Sequence, residues 1–222
     1  MTCDFQLSTL NALLRLAFHH FYTTFAWTYD AVSVLVSFGE WKAWGRAVLT
    51  QVPAGARVLE LAHGPGHLHL HMRQCGFNVA SLDLSPQMGR MLSRRVDAHA
   101  MPHQHVQASA MQLPFANAQF DCVISTFPTE FIFAPSTLSE VRRVLVNHGT
   151  LVIVPSVQMI GSGVGAMLVR LAYQVTGQKS PLADIKSLRQ ARFHELQFDF
   201  KEQVVTLKHA QVYVWVCEKR GL

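Results

Sequence analysis

Two features of the chain could do chemistry together. One is the run Glu60-Leu61-Ala62-His63-Gly64-Pro65-Gly66, and the other is Asp83, nineteen residues after Gly64. Glycines let a backbone pass against a ligand with no Cβ in the way, so a glycine turn can present N–H groups to a bound molecule. A carboxylate about twenty residues further on can accept hydrogen bonds from both hydroxyls of a ribose, each worth on the order of 1.5–3 kcal/mol because the acceptor is charged. A phosphate-binding turn has the form G-x-G-x-x-G, but Gly64 and Gly66 are followed by Leu68, His69 and Leu70, so the third glycine is missing. Glu60 would repel a pyrophosphate and suits a cationic group. The ligand implied carries a ribose and a positive charge but no phosphates.

The elements that must position these residues follow from periodicity. Arg57 to Ala62 is too short for a helix and apolar on both faces, as in a buried parallel strand. A helix is expected from His67 to Cys75, ended by Gly76, then a strand over Asn78–Asp83. The rhythm continues with a helix over Pro86–His99, a strand at 104–108 and a strand over Phe120–Ser125. A helix over Pro135–Val146 then leads through Asn147-His148-Gly149 into a strand over Thr150–Val154. Such alternation predicts an α/β fold with a doubly wound, Rossmann-like, mostly parallel sheet. Gln197–Leu207 and Ala210–Lys219 have barely a turn between them and read as an antiparallel C-terminal hairpin. Helical periodicity over residues 5–50 predicts an N-terminal helical cap. One domain over 1–222 is expected: cap 1–52, cofactor-binding core 56–156, lid or substrate insert 157–195, and terminal hairpin 196–222. The apolar helix expected over Val164–Val175 reads either as a lid over a lipophilic substrate or as a helix packed on the sheet edge.

A ribose, a positive charge and no phosphates point to S-adenosylmethionine. The chain resembles a class I S-adenosylmethionine-dependent methyltransferase in four motifs that fall in order. They are Val58 to Gly66, Leu82-Asp83-Leu84-Ser85-Pro86-Gln87-Met88, Leu113-Pro114-Phe115 with Phe120-Asp121-Cys122-Val123, and Glu140 to Leu145 leading to Gly149-Thr150-Leu151. The resemblance covers about residues 56–156. It implies that Ser109, Ala110 and Met111 line the adenine, that Leu84 lies in the ribose motif, that Met88 covers the adenine's other side, and that Thr126 and Phe127 lie near the methionine end. Two positions depart from the family. Ala62 stands where its first glycine stands, and a methyl group at positive φ there costs about 1–2 kcal/mol. Ser109 replaces an acidic residue that reads the adenine amino group. Further upstream, Tyr29-Asp30, Ser37-Phe38-Gly39, Trp41, Trp44 and Arg46 resemble the N-terminal segment of quinone-biosynthesis C-methyltransferases and their small-molecule relatives, which implies that Tyr29 touches the methionine carboxylate end.

The implied activity is methyl transfer to a small, apolar acceptor, by C- or O-methylation. A base is needed only if the acceptor must lose a proton, and His19, His20, Tyr22, Glu130 and His194 are candidates among which the sequence does not choose. Three rivals stand beside this reading: an N-methyltransferase of lipid amines at a membrane surface, a catalytically silent partner protein of the same fold, and a dehydrogenase.

Composition bounds these readings. Lys and Arg number 19 against 14 Asp and Glu, a formal charge of +5 without any basic run, so no nucleic-acid footprint is expected. The sequence pI near 9.2 is compatible with peripheral membrane contact. The cysteines, Cys3, Cys75, Cys122 and Cys217, show no metal or disulfide spacing and read as reduced thiols in a cytoplasmic protein. The apolar stretch Phe5–Trp27 is broken by Arg15, His19 and His20, against a signal peptide or a spanning helix. His63, His67, His69 and His71 are dense, but His67 and His71 share a helix face while His69 points elsewhere, and no metal site is expected. The oligomeric state is open.

Overall fold

Strand formation here follows burial on both faces. β1 (Arg57–Leu61), β4 (Phe120–Thr126) and much of β5 (Leu145–Met159) are near-continuous apolar runs, and they occupy the middle of the sheet. The computed structural model describes residues 39–101, 104–160 and 191–221. Their seven strands form one sheet in the order β3-β2-β1-β4-β5-β7-β6, with β2 (Asn78–Asp83), β3 (His105–Gln107), β6 (Phe198–Thr206) and β7 (Ala210–Lys219) completing it. Pairing is parallel from β3 to β5 and antiparallel at β5–β7 and β6–β7. This is the expected mostly parallel sheet with an antiparallel hairpin.

Among the described residues it is flanked by α1 (Trp41–Arg46), α2 (His67–Gln74), α3 (Pro86–Asp97) and α4 (Pro135–Val144). Proline at the first position starts both α3 and α4, and the Ser85 hydroxyl caps α3 by accepting from the Met88 N–H. The two-residue alternation of the strands sorts the core into two layers. Leu59, Leu61, Val123, Leu151 and Ile153 pack with Leu138, Val141 and Val144 of α4. Val58, Cys122, Ile124, Val152 and Val154 pack with Trp44, Val48, Leu68 and Met72 on the side of α1 and α2. Of the expected cap, α1 and the 3-10 turn Ala47–Gln51 are described, while the insert helix Val164–Val175 lies outside the described residues.

β5 differs from expectation. It runs 15 residues instead of the five read at Thr150–Val154, because Leu145 pairs with Phe120 on one side and Ser156–Met159 pair with β7 on the other. Asn147-His148-Gly149, read as a turn, is a bulged part of the strand in which His148 takes φ +61°, and the pairing register shifts between Phe120 and Cys122 opposite it. α3 and α4 end two residues earlier than their periodicity suggests.

Candidate functional site

β1 lies between β2 and β4, so the chain leaves it at the point where strand order reverses, and a crevice opens beyond the strand ends. The turn there is held from three directions. The His63 N–H donates to the Leu82 carbonyl at 3.2 Å, the Gly64 N–H donates to Asp83 Oδ2 at 3.0 Å, and the Arg95 guanidinium of α3 donates to the Pro65 carbonyl at 3.0 Å. Asp83 Oδ1 accepts from the Ser85 N–H at 2.8 Å. Both oxygens are thereby fixed in direction, and each keeps a lone pair for a further donor.

The turn needs its glycines for two different reasons. At Gly66, φ is +81° and a Cβ would meet Leu92 Cγ at 2.7 Å and Cβ at 2.8 Å, so helix α3 crosses against bare backbone. At Gly64, φ is +54° and a Cβ would meet nothing within 4 Å, which leaves this backbone open to a ligand. Ala62 also takes a left-handed φ, of +54°, as expected from the glycine it replaces.

Two depressions meet at this turn. The first, of about 530 Å³, is lined by Glu60, Ala62, His63 and Gly64 from the β1 side, Thr126 and Phe127 from β4, and Trp41, Lys42 and Arg46 from α1. Phe127 takes φ +49°, a costly conformation for a bulky residue, with its N–H held by the Val154 carbonyl at 2.8 Å, and its ring packs on Trp41. The second, of about 760 Å³, runs between α3 and β3 and includes His63, Asp83, Ser85, Arg90, Arg94 and His105. His63 lines both. Its Nδ1 donates to the Gly64 carbonyl at 2.7 Å and its ring meets His105 edge-on, while burial, opposed by the Asp83 charge, holds it below the ordinary histidine pKa.

Of the residues predicted from sequence, six therefore share the first cleft: Glu60, Ala62, His63, Gly64, Thr126 and Phe127. Asp83 lines the second, joined to the first through Gly64 and His63. Gly66 lies in the turn between them, and Met88 is buried in α3. Leu84 is exposed, and Ser109 to Met111 form a turn after β3 in which Ala110 is buried and Met111 exposed; none of these lines either cleft. That turn leads into a segment clamped from α4: Arg143 donates to the Leu113 and Phe115 carbonyls and pairs with Glu140, which accepts from the Leu113 N–H at 2.7 Å. Tyr29, His19, His20 and Tyr22 lie outside the described residues, and Glu130 and His194 are exposed and line neither cleft.

Sequence reasoning missed Lys42 and Leu68 as lining groups, and it missed the placement of His69. His69 is fully buried, with Nδ1 3.9 Å from Glu60 Oε2. Among the described residues no group of three or more His, Cys, Asp or Glu side chains is arranged to hold a metal. Burial lifts the Cys122 thiol to about 12, which leaves it unreactive. No helix among the described residues is long and apolar enough to cross a membrane.

A cofactor fits here on two observations. Gly64 leaves backbone uncovered beside the first cleft, and Glu60 Oε2, which lines it, is buried without a hydrogen-bond partner among the described residues, an arrangement that a cation would satisfy. Comparison with known proteins agrees. Residues 59–153 match the family described as "Methyltransferase domain". The demethylmenaquinone methyltransferase of Thermus thermophilus is 33% identical over 130 residues, covering 56% of this chain and 59% of that one. The protein of that name from Deinococcus radiodurans is 26% identical over 163 residues, covering 71% and 67%. A Methanosarcina mazei structure described as a SAM-dependent methyltransferase superposes with a TM-score of 0.56 at 16% identity, over 78% of this chain and 97% of that one, a likeness of fold. The chain spans between 36% and 59% of the length of five curated relatives that it matches.

Proposed function

We propose that this chain, whose residues 59–153 match the methyltransferase-domain family, is a class I, S-adenosylmethionine-dependent methyltransferase that transfers a methyl group to a small, apolar acceptor by C- or O-methylation. The observation that carries the reading is the hydrogen bond from Gly64 to Asp83, which sets a ribose-type carboxylate beside an uncovered glycine backbone at the switch point of the sheet. The sulfonium, when bound, supplies a methyl group that is already activated.

The chain's own part is positional. Asp83 accepts the ribose hydroxyls, Glu60 faces the cationic end, and Gly64 and Gly66 let the backbone come close. Leu84, Met88, Ser109, Ala110 and Met111 belong to the adenine side, whereas Thr126, Phe127 and Tyr29 belong to the methionine end. Holding nucleophile and methyl about 3–3.5 Å apart supplies much of the rate, and exclusion of water by Trp41 and Phe127 adds to it. The acceptor class is supported by relatives named demethylmenaquinone methyltransferase and by the aromatic wall of the first cleft.

A methyl-transfer screen against quinols, phenols, fatty acids and lipid amines, reading released S-adenosylhomocysteine, tests this. Turnover with a quinol or phenol is expected. Turnover with lipid amines alone would move the protein to N-methylation, and absence of both binding and turnover would leave a silent fold.

A further inference from the structure

The two-residue alternation of β1 turns Glu60 to the face of the sheet covered by α1 and α2. There it is 2% exposed, its Oε2 has no hydrogen-bond partner among the described residues, and the buried His69 of α2 stands 3.9 Å from that oxygen. A carboxylate in such a place does not stay ionised alone. The pair is neutral overall in two ways only, with the proton on Glu60 and a neutral imidazole, or with carboxylate and imidazolium side by side. Either way it holds one proton.

We propose that Glu60 and His69 hold a single proton between them beneath the first cleft, and that a cationic group entering the cleft displaces this proton to solvent. The incoming ammonium keeps its own protons and takes over the pairing with the carboxylate, while the imidazole is left neutral and able to donate one N–H to it. Binding is then an exchange of a cation for a proton and tightens as pH rises. The inference rests on the cofactor reading above.

The surroundings favour the exchange. Burial, reinforced by the Asp83 carboxylate on β2, pushes Glu60 well above the usual carboxylate range. His63 of the turn, His67 of α2, and Lys42 and Arg46 of α1 line the same cleft, and of the charged groups around it Asp83 is the one felt at Glu60.

Calorimetry of the full chain at about pH 6.5, where an α-ammonium is intact, in buffers of different ionisation heat counts the protons. S-adenosylmethionine is expected to release about one proton, and 5′-methylthioadenosine, which has the same nucleoside but no ammonium, none. Glu60→Gln abolishes the release. His69→Leu weakens S-adenosylmethionine about tenfold, the loss of one charge-assisted hydrogen bond, and leaves methylthioadenosine unchanged, which also shows that the variant is folded. Equal proton counts for the two ligands, or release that survives Glu60→Gln, would overturn the exchange. Heat from neither nucleoside would overturn the cofactor reading, and the exchange with it.

Discussion

The rings of Trp41 and Phe127 overlap with centroids 4.2 Å apart and planes tilted by 31°, joining helix α1 to the end of β4 on the wall of the first cleft. Such a pair is worth about 0.5–1.5 kcal/mol beyond the area it buries. Trp41→Ala is expected to raise the acceptor's KM by roughly three- to tenfold while cofactor affinity changes less. Steady-state kinetics beside calorimetry separates the two.

Gly64 and Gly66 should respond differently to the same methyl group. Gly66→Ala drives a Cβ into Leu92 at positive φ, so overpacking and backbone strain together cost about 2–5 kcal/mol of stability. Gly64→Ala meets open space and costs only the strain, about 1–2 kcal/mol, but loses cofactor affinity. Denaturant titrations paired with binding isotherms distinguish a fold glycine from a ligand glycine.

Ala62→Gly removes a left-handed alanine, gaining about 1–2 kcal/mol of strain relief against about 0.4–1 kcal/mol of added unfolded-state entropy. A rise in Tm of about 1–4 °C is expected. A lower Tm would mean that the turn holds Ala62 without strain.

Glu60 gives a pH signature of stability. Its folded pKa is raised by burial and then by Asp83, so the folded chain binds the proton more tightly than the unfolded one. The contribution is full below the ordinary glutamate value of 4.5 and is lost as pH rises through the folded pKa. Glu60→Gln should therefore melt at a higher temperature than the parent at alkaline pH and lose that advantage on acidification, as thermal scans across pH would show.

Asp83→Ala removes the carboxylate proposed to accept two ribose hydroxyls and releases the Gly64 and Ser85 N–H groups. At about 1.5–3 kcal/mol per charged hydrogen bond, cofactor affinity should fall by at least about a hundredfold. Retention of affinity in calorimetry would displace the ribose from this carboxylate.

Much of the backbone around the candidate site was legible because local sequence encodes it. The bounds of β2 follow from Asn78 and Asp83, and the left-handed turn at Ala62 follows from the family resemblance, which implies a glycine there. What periodicity cannot show is contact between elements. His69 was separated from His67 and His71 by helix geometry alone, and only the packing of α2 on β1 reveals that it meets Glu60. The length of β5 escaped for a related reason: His148 and Gly149 look like a turn until Phe120 and β7 supply partners on both sides. The clamp of Arg143 on the Leu113 and Phe115 carbonyls is likewise a long-range pairing that leaves no mark in spacing.

β7, the last strand in sequence, lies between β5 and β6. During synthesis, β6 leaves the ribosome before the strand that must separate it from the rest of the sheet, so β5, paired with β4 on one side, keeps its other edge open and β6 lacks its neighbour until Ala210–Lys219 has emerged. Until β7 has been made, the nascent chain therefore carries open strand edges at which sheet closure and misassembly compete.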